Sequence, residues 1–326
     1  MARIGIIGSG WAERAQAPNF REAGLEIKLF RGHAWRNAID SDADLVTIVT
    51  PPSTHVEIAL AALDAGKHVI CEKPTAINAA EAEKLVVAWH KHGDRIALID
   101  HELRFLPSFR AARERIGEIG AIRFAEVRYS STNRGDRQRE WNWWSDASQG
   151  GGVWGAVGSH FIDALRYLGS EIEAVQAVLG TMIRERSGKA VTADDFAAVH
   201  VRLSGGALAA MTFNAAASGP EEPCVLTIHG EDAAFRLVGE ELLFAKRGKP
   251  FERIAGNDTA KRPGNSLGGA FGTGTYHLGV ALRRALDDGD RSALTPAATF
   301  ADGLVQQRVL DAARRSHGAG GGWEAI

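Results

Sequence analysis

The sequence predicts a two-domain α/β protein whose first domain has a parallel sheet and whose second is α+β with a mainly antiparallel open sheet. Three observations lead to this prediction. The chain has 326 residues, more than a typical single domain. Its first third alternates short apolar runs with helical patterns. From about Ile122 onward, strand-like runs instead follow one another with turn residues between them.

The first third predicts five strands and three helices. The strand-like runs are RIGIIG, LEIKLF, ADLVTIVT, KHVICE and RIALID. The helical patterns are AERAQAPNFREAG, THVEIALAALDAG and NAAEAEKLVVAWHKHG. Strands that alternate with helices form parallel sheets, which are buried on both faces. Ligands bind such sheets beyond the carboxyl ends of their strands, so we expect the site at those ends.

The remainder predicts a sheet of another kind. Its strand-like runs are IRFAEVRYSST, VQAVLGTMI, FAAVHVRLS, GALAAMTFNAAA, CVLTIHG and AAFRLVG. Helical patterns occur near 158–168, 270–287 and 298–316, and the stretches 131–152 and 247–268 read as long loops. We therefore predict a boundary near Gly120, with domains 1–120 and 121–326.

Composition excludes several partner classes. The 38 Lys and Arg residues nearly balance the 40 Asp and Glu residues, and no basic run interleaves with aromatics. Nucleic acid and anionic membranes are therefore poor partners, and a small neutral or weakly charged ligand fits better. Cys71 and Cys224 lack metal-ligand spacing and suit a reducing compartment. Without a signal peptide or a long apolar run, we expect a soluble cytoplasmic protein without a metal.

The first strand is followed by a glycine loop. It consists of Gly8, Ser9, Gly10, Trp11, Ala12 and Glu13. Two glycines directly after a strand let a pyrophosphate approach the next helix, which predicts dinucleotide binding. Glu13 stands where a third glycine is expected, so either the helix packs through Ala12 and Ala15 or binding is altered. A strand-turn-helix without a ligand is the alternative.

The second strand ends in Arg31 instead of the acid that commonly binds the adenosine ribose. Arg31, helped by His33 or Arg36, would bind a 2′-phosphate, which favours NADP over NAD; a solvated strand-end arginine is the alternative. Only about eleven residues, 31–41, lead to the third strand. That length is too short for a full crossover helix and predicts a thinner sheet face there.

Lys73 lies between Glu72 and Pro74, where the apolar run VIC ends. A buried lysine costs several kcal/mol unless it is paired or hydrated, so we expect Lys73 where the strand leaves the core. That is the sheet edge at which ligands bind. On spacing alone, a solvated strand-end charge is an equal alternative.

Three further segments carry candidate residues. Five glycines between Gly150 and Gly158 would let the backbone pass close to a cofactor or substrate, and His160 follows them at the start of a helix. The segment 99–107 contains Asp100, Glu102 and Arg104, of which the last two would share one side of an extended chain; a surface ion pair is the alternative. Near 141–144, tryptophans including Trp143 suit the apolar face of a sugar or, alternatively, an oligomer contact.

The chain resembles a known family in four segments, in order and over nearly its whole length. These are VTPPSTH at 49–55, AGKHVICEKP at 65–74, GGGVWGAVGSHFIDALRYLG at 150–169 and ATFADGLVQQRVLDAARRS at 298–316. They are similar to the Gfo/Idh/MocA oxidoreductases, the glucose–fructose oxidoreductase and myo-inositol dehydrogenase group. The resemblance implies an N-terminal Rossmann domain and a C-terminal domain whose open sheet contacts substrate and joins copies into a homodimer or homotetramer.

The resemblance also implies roles for individual residues. Lys73 would hold and polarise the substrate oxygen beside the nicotinamide, and Glu72 would orient Lys73 or touch the cofactor ribose. The nicotinamide and its ribose would be lined by Thr50, Pro51, Pro52 and His55. Pro74 would follow a cis peptide bond.

One departure from the family concerns His160. In the family an aspartate precedes this histidine by four residues, whereas here that position is Ala156. His160 would then move the substrate proton alone or with another carboxylate, and Asp163 lies on roughly the same helical face. We rank His160 first for proton transfer and Lys73 second; a core or ribose-binding histidine is the alternative.

The resemblance implies an NAD(P)-dependent oxidoreductase, here NADP-linked, acting on CH–OH groups of a sugar, a cyclitol or a related hydroxy or oxo compound. A non-catalytic nicotinamide- or sugar-binding sensor of the same fold is the rival, supported by Ala156, Glu13 and the short crossover. A third reading is the family's NAD-dependent glycosidase branch.

Overall fold

A computed structural model describes residues 1–256 and 266–326 of the chain. Contacts within the chain divide it into two compact units. The first consists of Met1–Leu106 and, later in the chain, the described residues up to Val305; the second begins at Pro107 and also contains Gln306–Ile326. The predicted domains, 1–120 and 121–326, divide the chain differently, because the chain leaves the first unit at Leu106 and returns to it.

The segment before Pro107 has five strands and four α-helices. The strands are β1 Arg3–Gly8, β2 Glu26–Phe30, β3 Leu45–Val49, β4 His68–Cys71 and β5 Ala97–Ile99. The helices are α1 Ala17–Glu22, α2 Trp35–Ile39, α3 His55–Asp64 and α4 Ala79–Lys91. All five strands coincide with predicted apolar runs. The crossover after β2 holds only a 3₁₀ turn and the five-residue α2, as its length predicts.

The rest of the chain supplies the remaining elements. Its helices are α5 Pro107–Arg115, α6 Ser159–Tyr167, α7 Gly269–Asp287 and α8 Phe300–Gly318. Its strands are β6 Ile122–Ser130, β7 Ile172–Gly180, β8 Glu185–Arg186, β9 Lys189–Ala190, β10 Phe196–Leu203, β11 Leu208–Asn214, β12 Glu222–Gly230, β13 Ala233–Val238, β14 Glu241–Lys246, β15 Glu252–Ala255, β16 Ala298–Thr299 and β17 Glu324–Ala325.

The first unit contains a six-stranded sheet in the order β16-β5-β4-β3-β1-β2. Strands β1 to β5 are parallel, and only β16 runs antiparallel, beside β5. Consecutive residues such as Ile6 and Ile7 are both fully buried, because one packs on each face of the sheet. The predicted parallel Rossmann sheet is confirmed.

The second unit contains a nine-stranded sheet in the order β15-β14-β13-β12-β6-β11-β10-β7-β17. Neighbouring strands are antiparallel except β6 and β11, which confirms the mainly antiparallel prediction. Phe213 is buried and packs on Trp154 and Phe161 at ring distances of 5.8 and 5.9 Å. Val178 and Leu208 are 55% and 47% exposed. That this sheet joins copies of the chain stays a prediction.

The two predicted long loops differ in how much regular structure they contain. The stretch 131–152 contains only the 3₁₀ turns Trp143–Ser145 and Ala147–Gln149. The stretch 247–268 contains β15, and its residues 257–265 lie outside the described part of the chain. Among the helices of residues 1–256 and 266–326, none has an apolar stretch long enough to cross a bilayer.

Candidate active site

The two glycines after β1 serve different purposes. Gly8 is buried with a φ of +150°, and a Cβ there would overlap the carbonyl of Val49 at the end of β3. Gly10 is exposed with a φ of +59°, and a Cβ there would have no atom within 4 Å. Gly8 therefore lets two strands approach each other, whereas Gly10 leaves open space above the loop.

A π-helical turn, Ala12–Gln16, follows the loop and continues into α1. Ala12 and Ala15 are fully buried, and Glu13 is exposed. The helix therefore packs through its two alanines, the first of the two outcomes expected from the missing third glycine. The extra residue in the turn also directs Gln16 into the interior, where it is fully buried.

Glu13 forms an ion pair with Arg31, with Oε1 2.9 Å from Nη1. The arginine side chain is 65% exposed and that of Glu13 42%. The proposed helper Arg36 lies over the Trp35 ring at 4.0 Å, and it also pairs with Glu57. The sequence offers no carboxylate next to Arg31, but in the folded chain the glycine loop supplies one.

His55 joins the two loops that follow β3 and β4. Its Nε2 lies 2.8 Å from the Thr50 carbonyl oxygen and its Nδ1 3.0 Å from that of Pro74. Complete burial lowers its pKa to about 4, so the ring is neutral. Both ring nitrogens face backbone carbonyls, so His55 positions Thr50 and its neighbours Pro51 and Pro52; that His55 lines the nicotinamide stays a prediction.

Lys73 stands at the end of β4 and precedes a cis peptide bond to Pro74, as the resemblance implies. Its side chain is 19% exposed, and Nζ lies 3.8 Å from Oε2 of Glu72. The backbone nitrogen of Glu72 donates to the Ile48 carbonyl, which continues the sheet pairing to the residue before the lysine. Lys73 is thus the point at which the chain leaves the core.

Three acidic side chains lie buried around the ends of β4 and β5. Glu72 is 7% exposed, Asp100 1% and Glu102 3%. Gln16 Nε2 donates to Asp100 Oδ2 at 2.8 Å. Burial raises the pKa of all three carboxyl groups, that of Glu72 to about 8, against the opposing charge of Lys73.

Part of this cluster was predictable from strand alignment. Cys71 pairs with Ile99 in the parallel register, so Glu72 and Asp100 are the next residues on neighbouring strands. The contribution of Gln16 was missed because the π turn changes the phase of its helix. Among the described residues, no group of three or more His, Cys, Asp or Glu side chains is arranged to hold a metal ion.

The segment after Asp100 is a 3₁₀ helix, Glu102–Phe105, and not the extended chain that we expected. Arg104 is buried and faces its own unit: Nη2 lies 3.3 Å from Asp302 Oδ1, and Nη1 3.4 Å from the carbonyl oxygens of Pro296 and Ala297. Arg104 therefore braces the chain around β16, and its predicted substrate contact has no support from this geometry.

In the second unit, His160 and Asp163 both lie on α6, and both are buried, at 3% and 1% exposure. Gln306 Nε2 donates to Asp163 Oδ1 at 2.6 Å, which ties α6 to α8. Ala156 lies in a second π-helical turn, Trp154–Gly158, directly before α6. His160 thus follows a turn in which Ala156 occupies the position of the family's aspartate.

The glycine run before α6 serves contacts within the chain. A Cβ on Gly151 would lie 2.6 Å from the carbonyl oxygens of Trp143 and Trp144. Gly152 has a φ of +109°, and a Cβ there would overlap the carboxylate of Asp194. That carboxylate accepts from Trp154 N at 2.7 Å, and burial raises its pKa to about 6. Asp194, which has no signal in the sequence, therefore accounts for Gly152, and backbone carbonyls account for Gly151.

The three tryptophans of the loop 131–152 each contact other residues of the second unit. Arg134 is 4.2 Å from the Trp144 ring, and Trp143 packs against Trp144 at 6.2 Å. Trp141 is held by its Nε1, which donates to the Ala190 carbonyl at 3.0 Å. Trp143 is half-buried, and its predicted contact with substrate stays a prediction.

Comparison with known proteins decides the family. Residues 22–99 match the oxidoreductase family with an NAD-binding Rossmann fold, and residues 109–236 match the GFO/IDH/MocA C-terminal domain. Glucose-fructose oxidoreductase domain-containing protein 2 of Xenopus laevis is 30% identical over 370 residues, covering 99% of this chain and 93% of the relative. The chain belongs to the Gfo/Idh/MocA oxidoreductase family. The matching protein of Xenopus tropicalis is 29% identical, with the same coverage.

Solved structures agree with this assignment. An oxidoreductase domain protein from Kribbella flavida is 28% identical, covers 100% of both chains and has a TM-score of 0.86. A levoglucosan dehydrogenase in complex with NADH and levoglucosan is 24% identical, covers 100% of this chain and 99% of its own, and also reaches 0.86. An inositol dehydrogenase homolog from Azotobacter vinelandii complexed with NAD⁺ is 20% identical, with 100% and 97% coverage and a TM-score of 0.81. The last two show the fold that this family chain shares.

Proposed function

We propose that this family member is a nicotinamide-dependent dehydrogenase or reductase that acts on a CH–OH group of a sugar, a cyclitol or a related compound. The single observation that carries the proposal is Lys73, a largely buried ammonium at the end of β4, between Glu72 and a cis proline. An ammonium held there stabilises the alkoxide that develops when hydride leaves an alcohol carbon. Levoglucosan and myo-inositol, bound by structural neighbours, support the substrate class.

The glycine loop suits the dinucleotide. Ser9 and Gly10 are exposed, and the space above Gly10 is open. The residues that would hold the pyrophosphate are Gly8, Ser9, Gly10, Trp11 and Ala12, and those nearest the nicotinamide ribose would be Thr50, Pro51 and Pro52. When bound, the cofactor supplies the hydride acceptor or donor. The chain contributes Lys73, which holds the substrate oxygen, and we propose two candidates for the acceptor of its proton, His160 and Lys73 itself.

Arg31 gives NADP its advantage over NAD in this proposal. The guanidinium is exposed and can bind a 2′-phosphate, but Glu13 neutralises it in the cofactor-free chain. We therefore propose that NADP binds more tightly than NAD by a modest factor, and that Glu13 limits this preference.

The test combines cofactor titration with a polyol panel. Fluorescence titration with NADPH and NADH is expected to show binding of both, with NADPH tighter and its advantage lost in Arg31→Glu. Turnover with sugars and cyclitols is expected in the wild type, and Lys73→Met is expected to lower it about 10³-fold while cofactor affinity persists. Failure to bind either cofactor would sink the dehydrogenase proposal.

A second candidate, a non-catalytic sensor, is favoured by one observation, the buried methyl group of Ala156 on the turn before His160. A sensor would bind cofactor and polyol without net reduction on any member of the panel. Release of a sugar from a glycoside without net change in cofactor would instead identify the glycosidase branch.

A further inference from the structure

The buried carboxyl groups of Glu72 and Asp100 meet where β4 and β5 end. Because Cys71 and Ile99 are register partners, the two acids occupy equivalent positions on adjacent parallel strands. Each is less than a tenth exposed, the charge of Asp100 raises the pKa of Glu72, and Asp100 Oδ1 is buried without a hydrogen-bond donor among the described residues. Two carboxylates in contact without water repel each other strongly, so such a pair retains a proton between its members.

Gln16 and Thr47 indicate which member carries that proton. The Thr47 hydroxyl donates to Gln16 Oε1 at 2.6 Å, which directs the amide nitrogen towards Asp100. Gln16 Nε2 then donates to Asp100 Oδ2 at 2.8 Å. This hydrogen bond favours the ionised form of Asp100, which places the shared proton on Glu72. Gln16 reaches this position because it closes the π turn after the glycine loop.

The pair faces the lysine of the proposed active site. Lys73 Nζ lies 3.8 Å from Glu72 Oε2. The other titratable groups that influence the pair or the lysine are Glu102, whose own pKa burial raises, the Cys71 thiol and the neutral ring of His55. Lys73 is therefore a cation close enough to exchange a proton with the pair.

We propose that Glu72 and Asp100 share a single proton and act as the acid–base partner of Lys73, with Gln16 and Thr47 fixing the site of that proton. The inference rests on the proposed function, because the proton in question is that of the substrate hydroxyl. Glu72 and Asp100 are positioning residues in this scheme, since they act through Lys73.

On oxidation of an alcohol, the C–H bond breaks with its electron pair leaving as hydride to the nicotinamide, which is reduced while the carbon is oxidised. The hydroxyl proton passes to Lys73 Nζ as Lys73 gives one of its own protons to the carboxylate of Asp100 through Glu72. The lysine ends as an ammonium, and the carboxyl pair ends with two protons, one of which leaves to water before the next turnover.

The shared proton is tested without cofactor or substrate. Infrared difference spectroscopy of the cofactor-free protein at neutral pH, comparing wild type with Glu72→Gln and with Asp100→Asn, reports the carbonyl stretch of protonated carboxyl groups. A shared proton predicts that Glu72→Gln loses the band and that Asp100→Asn shifts it, because burial still keeps Glu72 protonated but its acceptor becomes an amide oxygen. An unshifted band in Asp100→Asn would overturn sharing, and an unchanged spectrum in Glu72→Gln would overturn the placement of the proton.

The matched control is Asp94→Asn, an exposed carboxylate that pairs with Arg95. It is expected to retain the band, which excludes a general effect of removing an acid. Circular dichroism establishes that each variant is folded, and Thr47→Val, which frees the Gln16 amide, is expected to shift the band without abolishing it. A band at its wild-type frequency in Thr47→Val would remove Gln16 and Thr47 from the proposal.

The acid–base role is tested by turnover against pH. Asp100→Asn is expected to lower kcat about 10²-fold at neutral pH, to leave cofactor affinity unchanged and to move the pH profile. An equal fall at every pH would contradict the role, since a structural defect has no reason to depend on protonation. Absence of turnover in the wild type would sink the proposed function and with it the acid–base role, while the infrared result would still decide whether the proton is shared.

Discussion

Two regions of the molecule each place glycines before a π-helical turn, and they differ in the atoms that surround those glycines. In the first unit, Gly8 and Gly10 precede the π turn Ala12–Gln16; in the second, Gly150 to Gly152 precede the π turn Trp154–Gly158. Above Gly10 there is open space, whereas Gly151 and Gly152 are in close contact with carbonyl and carboxylate oxygens of the chain itself. Glycine content alone therefore does not distinguish a loop that is packed against the chain itself from one that leaves open space.

The polar residue that ends the first turn, Gln16, and the one that follows the second, His160, also have different surroundings. Gln16 enters a group of buried carboxyls beside Lys73. His160 instead follows a turn with Ala156 at the family's acidic position, and the acid on its own helix, Asp163, is bound by Gln306. Three buried carboxyl groups with raised pKa values thus lie around the lysine. The following predictions test this contrast.

The largest expected effect is that of Gly152→Ala. Its φ of +109° and the adjacent Asp194 carboxylate mean that a Cβ both strains the backbone and displaces the acceptor of Trp154 N. We expect a loss of about 3 kcal/mol in the free energy of unfolding, measured by urea denaturation. Gly10→Ala is the matched control, with a loss of about 1 kcal/mol and weakened cofactor binding. Equal losses at the two sites would contradict the distinction between the loops.

The next effect concerns His160. His160→Asn preserves shape and a hydrogen-bonding group but removes one of the two proposed proton acceptors, so we expect kcat to fall about 10²-fold or more if His160 takes the proton, while the Kd for NADPH stays within a factor of two. Steady-state kinetics and fluorescence titration measure the two quantities. Unchanged turnover would remove His160 from catalysis and assign proton transfer to Lys73 and the acids behind it.

The strands were predictable from the sequence and the acid cluster only in part. Strands β1 and β3 carry apolar residues, such as Ile6 and Val46, on both of their faces. This pattern is typical of strands in a parallel sheet. Contacts that depend on a change of helix phase, such as Gln16 with Asp100, have no sequence signal. The Glu13–Arg31 pair was hidden for another reason, because two long side chains meet only after the chain has crossed from β1 to β2.

The pH dependence of the free energy of unfolding tests the buried carboxyl group of Glu72. The pKa of Glu72 rises from 4.5 to about 8 in the folded chain, so the folded state binds this proton more tightly than the unfolded state. The free energy of unfolding should therefore fall as pH rises from about 4.5 to about 8. Glu72→Gln should flatten this slope in urea denaturation, whereas the exposed Glu83→Gln should leave it unchanged. An unaltered slope in Glu72→Gln would show that Glu72 is ionised throughout.

The smallest expected effect belongs to the open loop. Glu13→Gln removes the charge that neutralises Arg31, and an exposed ion pair contributes only about 0.2–1 kcal/mol, so we expect NADPH to bind about two- to fivefold more tightly. NADH affinity should change less, because NADH lacks the phosphate that Arg31 would bind. Paired fluorescence titrations at low and high salt check this, since the gain should shrink as salt screens it. Equal gains for NADH and NADPH would place Glu13 near the pyrophosphate and not near the 2′-phosphate, and Arg31 would then no longer explain the preference.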